Sequence, residues 1–468
     1  MSLARPGESS DQSFASGARV LSVGIASTGI FTFAYLAISS HVLGPASYSR
    51  IALCWAVMFV ILSVIYRPVE QLLSRMIADR RARGLHSHPL RVPAAIQFGF
   101  AAIFLVVALV LHDQIQQGMF DGSAVLYWIL VIGVLAYAGS YFARGWLAGH
   151  KWFALYGGLV FLESTSRFLF PLAVAVGISS GQDAVGLGMA VAPFASLSVM
   201  PFALTRLRGA RHGGRGVGAE VAVADAAAEG PAHAQLEEVS ADLSLRRGAG
   251  FAVAVVGIMF SEQMLMNAGV LIVAAKAGGG NLTTGVVGFV FNVMLIVRAP
   301  LQLFQAIQTS ILPHLTGLEV RANAAEFHRA VRITVLAIGG FALAVAVGLL
   351  AIGPTVMTAV LGHKGFDYGR VGLAVVGIGM GLHLISGTLN QAALARDQAT
   401  PAAIAWLSAV ALFSAYVALG GGHAAAEVTH VEVGYCGSAA ILTALLWLLY
   451  RRGSGATQTA SATAAMRA

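Results

Sequence analysis

Six charged side chains, Arg67, Glu70, Glu163, Arg167, Glu262 and Arg298, fall inside long apolar runs of this sequence. Such a group at the centre of a membrane helix costs about 2.5–3.5 kcal/mol on insertion scales, so it faces a protein interior or a wet cavity and marks a candidate site. Two of the runs close alike. YRPVEQLL (66–73) and VRAPLQLF (297–304) share an R-x-x-x-Q-L pattern, which sets Gln71 and Gln302 one helical turn after Arg67 and Arg298. A guanidinium is a planar fork of five donors that stays charged in any surroundings, so an arginine in a low-dielectric cavity suits a phosphate or diphosphate. Arg67 is partly compensated by Glu70 three residues on. Arg298 has no acid within a turn of its own helix, so it either meets Glu262 across helices or presents its charge to a cavity. Glu163 and Arg167, four residues apart in the favourable order, form either a self-neutralising structural pair or part of the same site.

The elements that must position these groups follow from composition. Of the 468 residues 57% are hydrophobic and only 11% charged, far from the balance of a soluble chain, and the mean hydropathy is +0.77. Apolar windows long enough to cross a bilayer recur throughout, and without water to satisfy backbone groups they must be helices. Twelve spans are expected, at about 19–40, 51–73, 93–112, 124–147, 152–176, 184–205, 249–275, 285–311, 330–353, 370–393, 401–420 and 431–450. The first lies behind a polar stretch and is followed by many more, which makes it a first span rather than a cleaved signal peptide. Most of the 29 basic residues fall in loops on one side if both termini are cytoplasmic, which sets that orientation in the cell membrane. The same asymmetry accounts for the net charge of +8, with anionic lipid headgroups as its partner and no nucleic acid.

The Ala/Gly/Glu-rich stretch 206–248 reads as a disordered cytoplasmic linker between an N-terminal lobe (1–205) and a C-terminal lobe (249–452), and 453–468 as a disordered tail. Residues 42–73 and 273–304 can be laid side by side without a gap. Six spans in each half give both halves the same orientation, so the repeats are parallel ones with a cavity between them. The fold class expected is an all-α polytopic membrane protein, two parallel six-helix lobes around a central cavity, and such a frame points to a transporter. Contact with an anionic substrate is assigned to Arg67, Arg298, Gln71, Gln302, Arg167 and Asn292, and a coupling proton or sodium ion to Glu262, Glu70 and Glu163 on the ground of their burial.

Other polar residues read more plainly. Arg144 lies near a cytoplasmic helix end, where snorkelling is expected. His383, Asn267, Asn292 and Asn390 are lone polar residues on apolar helices, which read as interhelical hydrogen-bond partners before they read as ligands. Gly377, Gly379 and Gly381 resemble a phosphate loop only superficially, since no strand precedes them, and serve close helix packing. Cys54 and Cys436 sit in apolar windows and offer neither a disulfide framework nor a metal ligand set. No motif calls for a cofactor.

Between the first two spans, Leu43-Gly44-Pro45-Ala46-Ser47-Tyr48 resembles the L-G-P-x-x-Y-G that opens helix two in the polysaccharide-export branch (Wzx-type, lipid-linked oligosaccharide flippases) of the multidrug/oligosaccharidyl-lipid/polysaccharide (MOP) superfamily. Ser49 stands where that family usually has Gly. With the twelve spans, the two halves and the arginines ending helices two and eight, the resemblance covers most of 19–450. It implies a MATE/MOP-like fold whose lobes rock between inward-open and outward-open states and carry a polyprenyl-diphosphate-linked saccharide to the outer leaflet. It also implies a cationic cavity, with Arg67 and Arg298 matching its basic sites, and a glycan polymerase as a working partner. A multidrug antiporter of the same superfamily is the nearer alternative. A membrane glycosyltransferase would need paired acids in an early outer loop, where this chain has only Asp113 and Asp121, so no enzyme activity is expected. A scaffolding role has little support, because the linker lacks hydrophobic anchors.

Overall fold

The computed structural model describes residues 27–82, 90–205, 231–278, 285–298, 300–301, 324–362, 366–420 and 423–465. In chain order its helices are α1 (27–42), α2 (Pro45–Ala82), α3 (Arg91–Val110), α4 (His112–Phe120), α5 (Ala124–Gly149), α6 (Phe153–Ala175), α7 (Gly181–Leu197), α8 (Pro231–Gly278), α9 (Gly285–Arg298), α10 (Ala324–Leu361), α11 (Arg370–Ala395), α12 (Ala399–Leu419) and α13 (Ala424–Ala465). Among the described residues there are no strands. The chain is an all-helical, multi-pass membrane protein. Among the described residues ten helices are long and apolar enough to span, and the expected spans 19–40 and 285–311 are represented there by α1 and the shorter apolar α9.

Local sequence accounts for the boundaries. Pro45 opens α2, where its missing N–H goes unneeded. Ser123 caps α5 by accepting from the Leu126 N–H at 3.3 Å. Past the end of α6, Gly177 takes a left-handed φ of 79° and lets the Ile178 N–H reach back to the Ala173 carbonyl. One difference from the sequence reading concerns the linker and the tail. The backbone of α8 is helical from Pro231 and that of α13 to Ala465, so 231–248 and 453–465 carry helix where none was expected. Alanine, the best helix former, supplies five of the thirteen residues of 453–465, alanine and leucine together supply six of the eighteen of 231–248, and each stretch extends a longer helix.

Helices α1 to α7 make one lobe, in which α2 packs on α5, α6 on α7 and α5 on α7. Helices α8 to α13 make the other, in which α10 packs on α11, α11 on α13 and α8 on α12. The lobes meet where α2 lies against α8 and where the start of α2 meets α9. Small residues set the closest approaches. The run Gly377, Gly379, Gly381 packs on Ala346, Tyr435 and Ala342 from neighbouring helices, so it serves close packing as expected.

A Cβ on Gly145 of α5 would lie 2.7 Å from the Glu70 carbonyl oxygen of α2. Gly145→Val must therefore push these two helices apart, at a cost of about 1–3 kcal/mol. Thermal unfolding in detergent should show the loss. Gly158→Ala on α6, where nothing lies within 4 Å, should be neutral or slightly stabilising.

Candidate functional site

A cavity of about 420 Å³ lies between the lobes, walled by α1, α2, α5 and α6 on one side and by α8, α9 and Leu301 on the other. Along α1 and α2 it runs from Leu36 and Trp55, 1% and 3% exposed, to Gln71, which is exposed.

The N-terminal wall is organised by Glu163, which one turn of helix separates from Arg167 on the same face of α6. Its carboxylate accepts from Arg167 at 2.9 Å, from Arg144 of α5, and from the Ser140 hydroxyl at 3.1 Å. Arg167 also donates to the Tyr137 hydroxyl at 2.5 Å and lies over the rings of Trp55 and Phe59, which stack on each other at 4.4 Å. Arg144 lies 4.6 Å above the Tyr141 ring. One carboxylate thus serves two guanidiniums, and aromatic faces carry part of the remaining charge. On α2, Glu70 accepts from the Tyr156 hydroxyl at 2.8 Å. Arg67, half-buried one turn earlier, makes no ion pair or hydrogen bond among the described residues and reaches Glu70 only through space.

The C-terminal wall is simpler. Gln263, Met266 and Asn267 recur at three- and four-residue spacing along one face of α8. Arg298, at the end of α9, donates to the Asn267 side-chain oxygen at 2.6 Å and rests 4.5 Å over the Phe291 ring. Its Nε is buried without a partner, and no carboxylate lies within 4.0 Å of it among the described residues. Four lining arginines face two lining glutamates, a formal surplus of two positive charges. With Thr28, Thr32, Ser63, Gln71 and Gln263 on the same walls, the chamber can take an anion together with a hydroxyl-rich group.

The cavity therefore gathers Arg67, Glu70, Gln71, Glu163, Arg167 and Arg298. Gln302 lies outside the described residues. Glu262 does not line the cavity. Because successive helical residues are about 100° apart, the α8 face carrying Gln263 turns Glu262 sideways, into electrostatic reach of Tyr435 within its own lobe. Asn292 is fully buried beyond the Leu36 end of the cavity, bonded to Tyr48 and Tyr368, so its place is not that of a substrate contact. Arg144 corrects the sequence reading in the other direction. It does not snorkel, because the carboxylate of Glu163 one helix away draws it inward. Its position inside the apolar run 124–147 was the available signal. Asn267 is an interhelical partner as expected, and so are His383, 3.0 Å from the Tyr435 hydroxyl, and Asn390, which accepts from the Trp406 indole at 3.2 Å.

No protein-family model and no curated protein matches the sequence. Solved structures do match. An inward-facing multidrug resistance MATE family transporter of the MOP superfamily superposes with a TM-score of 0.63 at 13% identity, over 92% of this chain and 96% of that one. The eukaryotic MATE transporter AtDTX14 gives 0.58 at 11% identity over 96% and 99%. The Vibrio cholerae MATE transporter VcmN in the bent form gives 0.55 at 14% over 97% and 99%. At these identities the likeness establishes the fold, which is that of the MATE transporters, over nearly the whole chain.

Proposed function

We propose that the protein is a flippase that moves a polyprenyl-(di)phosphate-linked saccharide from the inner to the outer leaflet for cell-surface polysaccharide synthesis. One observation carries this reading. Arg67 and Arg298, one from each lobe, face a shared cavity without a carboxylate bonded to either among the described residues. A diphosphate brings about two negative charges, which matches the formal surplus of the lining. The saccharide needs hydrogen-bonding walls, and the lipid tail stays outside between the lobes. The binding free energy is spent where the barrier is highest, in taking a charged sugar headgroup across hydrocarbon. The two-lobe frame supports alternating access by rocking lobes as the way the headgroup is carried across. Glu70 and Glu163 are the cavity carboxylates available to a coupling proton or sodium ion, while Glu262 would act from within the C-terminal lobe.

A second reading, export of organic cations, is favoured by the multidrug transporters that share the fold. Fold and function separate readily, and a net-positive chamber repels such cargo. The test is reconstitution in liposomes. The protein should flip a fluorescent polyprenyl-diphosphate saccharide and leave a fluorescent organic cation where it was; the reverse result would replace the flippase reading with the antiporter one. A collapsed ion gradient that leaves flipping unchanged would remove the coupling role of the glutamates.

A further inference from the structure

The motif that opens α2 makes its contacts away from the cavity. Leu36 on α1 and Leu295 on α9 line the chamber, and about one helical turn beyond them lie Ser40 and Asn292. There the Tyr48 hydroxyl donates to the Asn292 side-chain oxygen at 2.5 Å. The Asn292 amide donates to the Tyr368 hydroxyl at 3.2 Å and toward the Ser40 hydroxyl at 3.4 Å. Ser40 in turn donates to the Leu361 carbonyl, and Tyr368 to the Gly362 carbonyl at 3.0 Å. Beside this network the Gly288 N–H donates to the Ser49 hydroxyl at 2.9 Å, and a Cβ on Gly288 would lie 2.8 Å from the Tyr48 ring. Ser40, Tyr48 and Ser49 belong to one lobe; Gly288, Asn292, Leu361 and Tyr368 belong to the other. Each of these side chains is at most 5% exposed.

We propose that this network is a polar gate that shuts the cavity on the face opposite its arginine-rich mouth and parts in each transport cycle. The inference rests on alternating access and not on the identity of the cargo. Its chemistry suits a seam that must open. Asn292 uses its acceptor and both amide protons, so the closed state leaves no buried polar group of that side chain unpaired. When the lobes separate, water replaces the four bonds that cross between them, Tyr48 to Asn292, Asn292 to Ser40, Ser40 to Leu361 and Gly288 to Ser49, so each holds the gate by a modest net amount. An apolar seam of the same extent would expose its whole face to water on opening and would stay shut. The serine at position 49, where the resembling family usually has glycine, supplies a hydroxyl to a backbone N–H of the other lobe.

The test uses the full chain with Cys54→Ala, Cys436→Ala and a reporter Leu36→Cys at the buried end of the cavity. A membrane-impermeant maleimide is added from either face. Tyr48→Phe removes one hydroxyl and should raise labelling from the face away from the arginine-rich loops about five-fold, with a smaller fractional fall from the other face. Asn292→Leu removes three bonds while keeping the number of side-chain heavy atoms and should raise it further. Unchanged labelling from both faces in a folded Tyr48→Phe protein overturns the gate, even if Asn292→Leu fails to fold. Raised labelling in a protein that moves no lipid-linked saccharide keeps the gate and removes the cargo assignment. Unchanged labelling alongside intact flipping does the opposite.

Discussion

Glu163→Gln should be among the most destabilising single substitutions in this chain, at about 3–5 kcal/mol, because it withdraws the carboxylate from two buried guanidiniums at once. The Arg144 and Arg167 side chains are 11% and 3% exposed, and Glu163 is their only ion-pair partner among the described residues. The glutamine keeps the shape and one acceptor oxygen, with an NH2 in place of the other, so the loss reports charge and hydrogen bonding rather than packing. Two uncompensated cations would then sit in the core of the N-terminal lobe, with the Trp55, Phe59 and Tyr141 rings recovering only a fraction. The signature is a large drop in unfolding temperature in detergent, before any transport is measured. Adding Arg167→Met to Glu163→Gln should recover more than half of the loss, because that pair of changes removes one of the stranded charges and fills its space. A Glu163→Gln protein as stable as the wild type would show that the charges find other partners, and would leave Glu163 free for an ion-coupling role.

How much of this was legible beforehand depends on what the bilayer forbids. A charge inside an apolar run has to face protein or water, so Arg67, Glu70, Glu163, Arg167 and Arg298 could be gathered into one site from composition and spacing alone, and the repeat made the last of them part of the same cavity. Rotation about a helix axis was another matter. In a soluble helix the polar stripe reveals which face is inside, but here lipid and protein interior are both apolar. Nothing in the sequence told that Gln263 and Asn267 of α8 look into the chamber while Glu262, one residue away, looks elsewhere. Depth was equally ambiguous for Arg144, which lies near enough to a helix end to snorkel and close enough to Glu163 to be drawn in. Asn292, a lone amide on an apolar helix, could be read both as an interhelical hydrogen-bond partner and as a substrate contact. Its partners Tyr48 and Tyr368 come from distant parts of the chain, and only the tertiary structure brings them together.

Arg298→Ala should reduce flipping of a polyprenyl-diphosphate saccharide about 30-fold or more, the effect of truncating a desolvated charged contact, while leaving the protein as stable as before or more so. The two halves of this expectation belong together. A structural arginine holds partners whose loss destabilises, as the pairs around Glu163 do. Arg298 has hydrogen bonds to the Asn267 side-chain oxygen at 2.6 Å and to the Met266 carbonyl at 3.5 Å, one aromatic face, and no bonded carboxylate among the described residues. The unoccupied protein therefore bears the cost of desolvating a charge and recovers little of it, a debt that an anionic cargo would relieve. Removing the charge relieves it too, at the expense of function, as stability and activity trade off at binding sites. Arg298→Lys separates charge from geometry, since an ammonium keeps the charge but loses the fork, and intermediate flipping is expected if both phosphates are held. Arg67→Ala should behave alike, because Arg67 is equally without a bonded carboxylate among the described residues, and the two losses should not add if both arginines grip one diphosphate. Loss of stability together with transport in Arg298→Ala would make Arg298 a structural charge and leave the cavity without its C-terminal anchor for the anion.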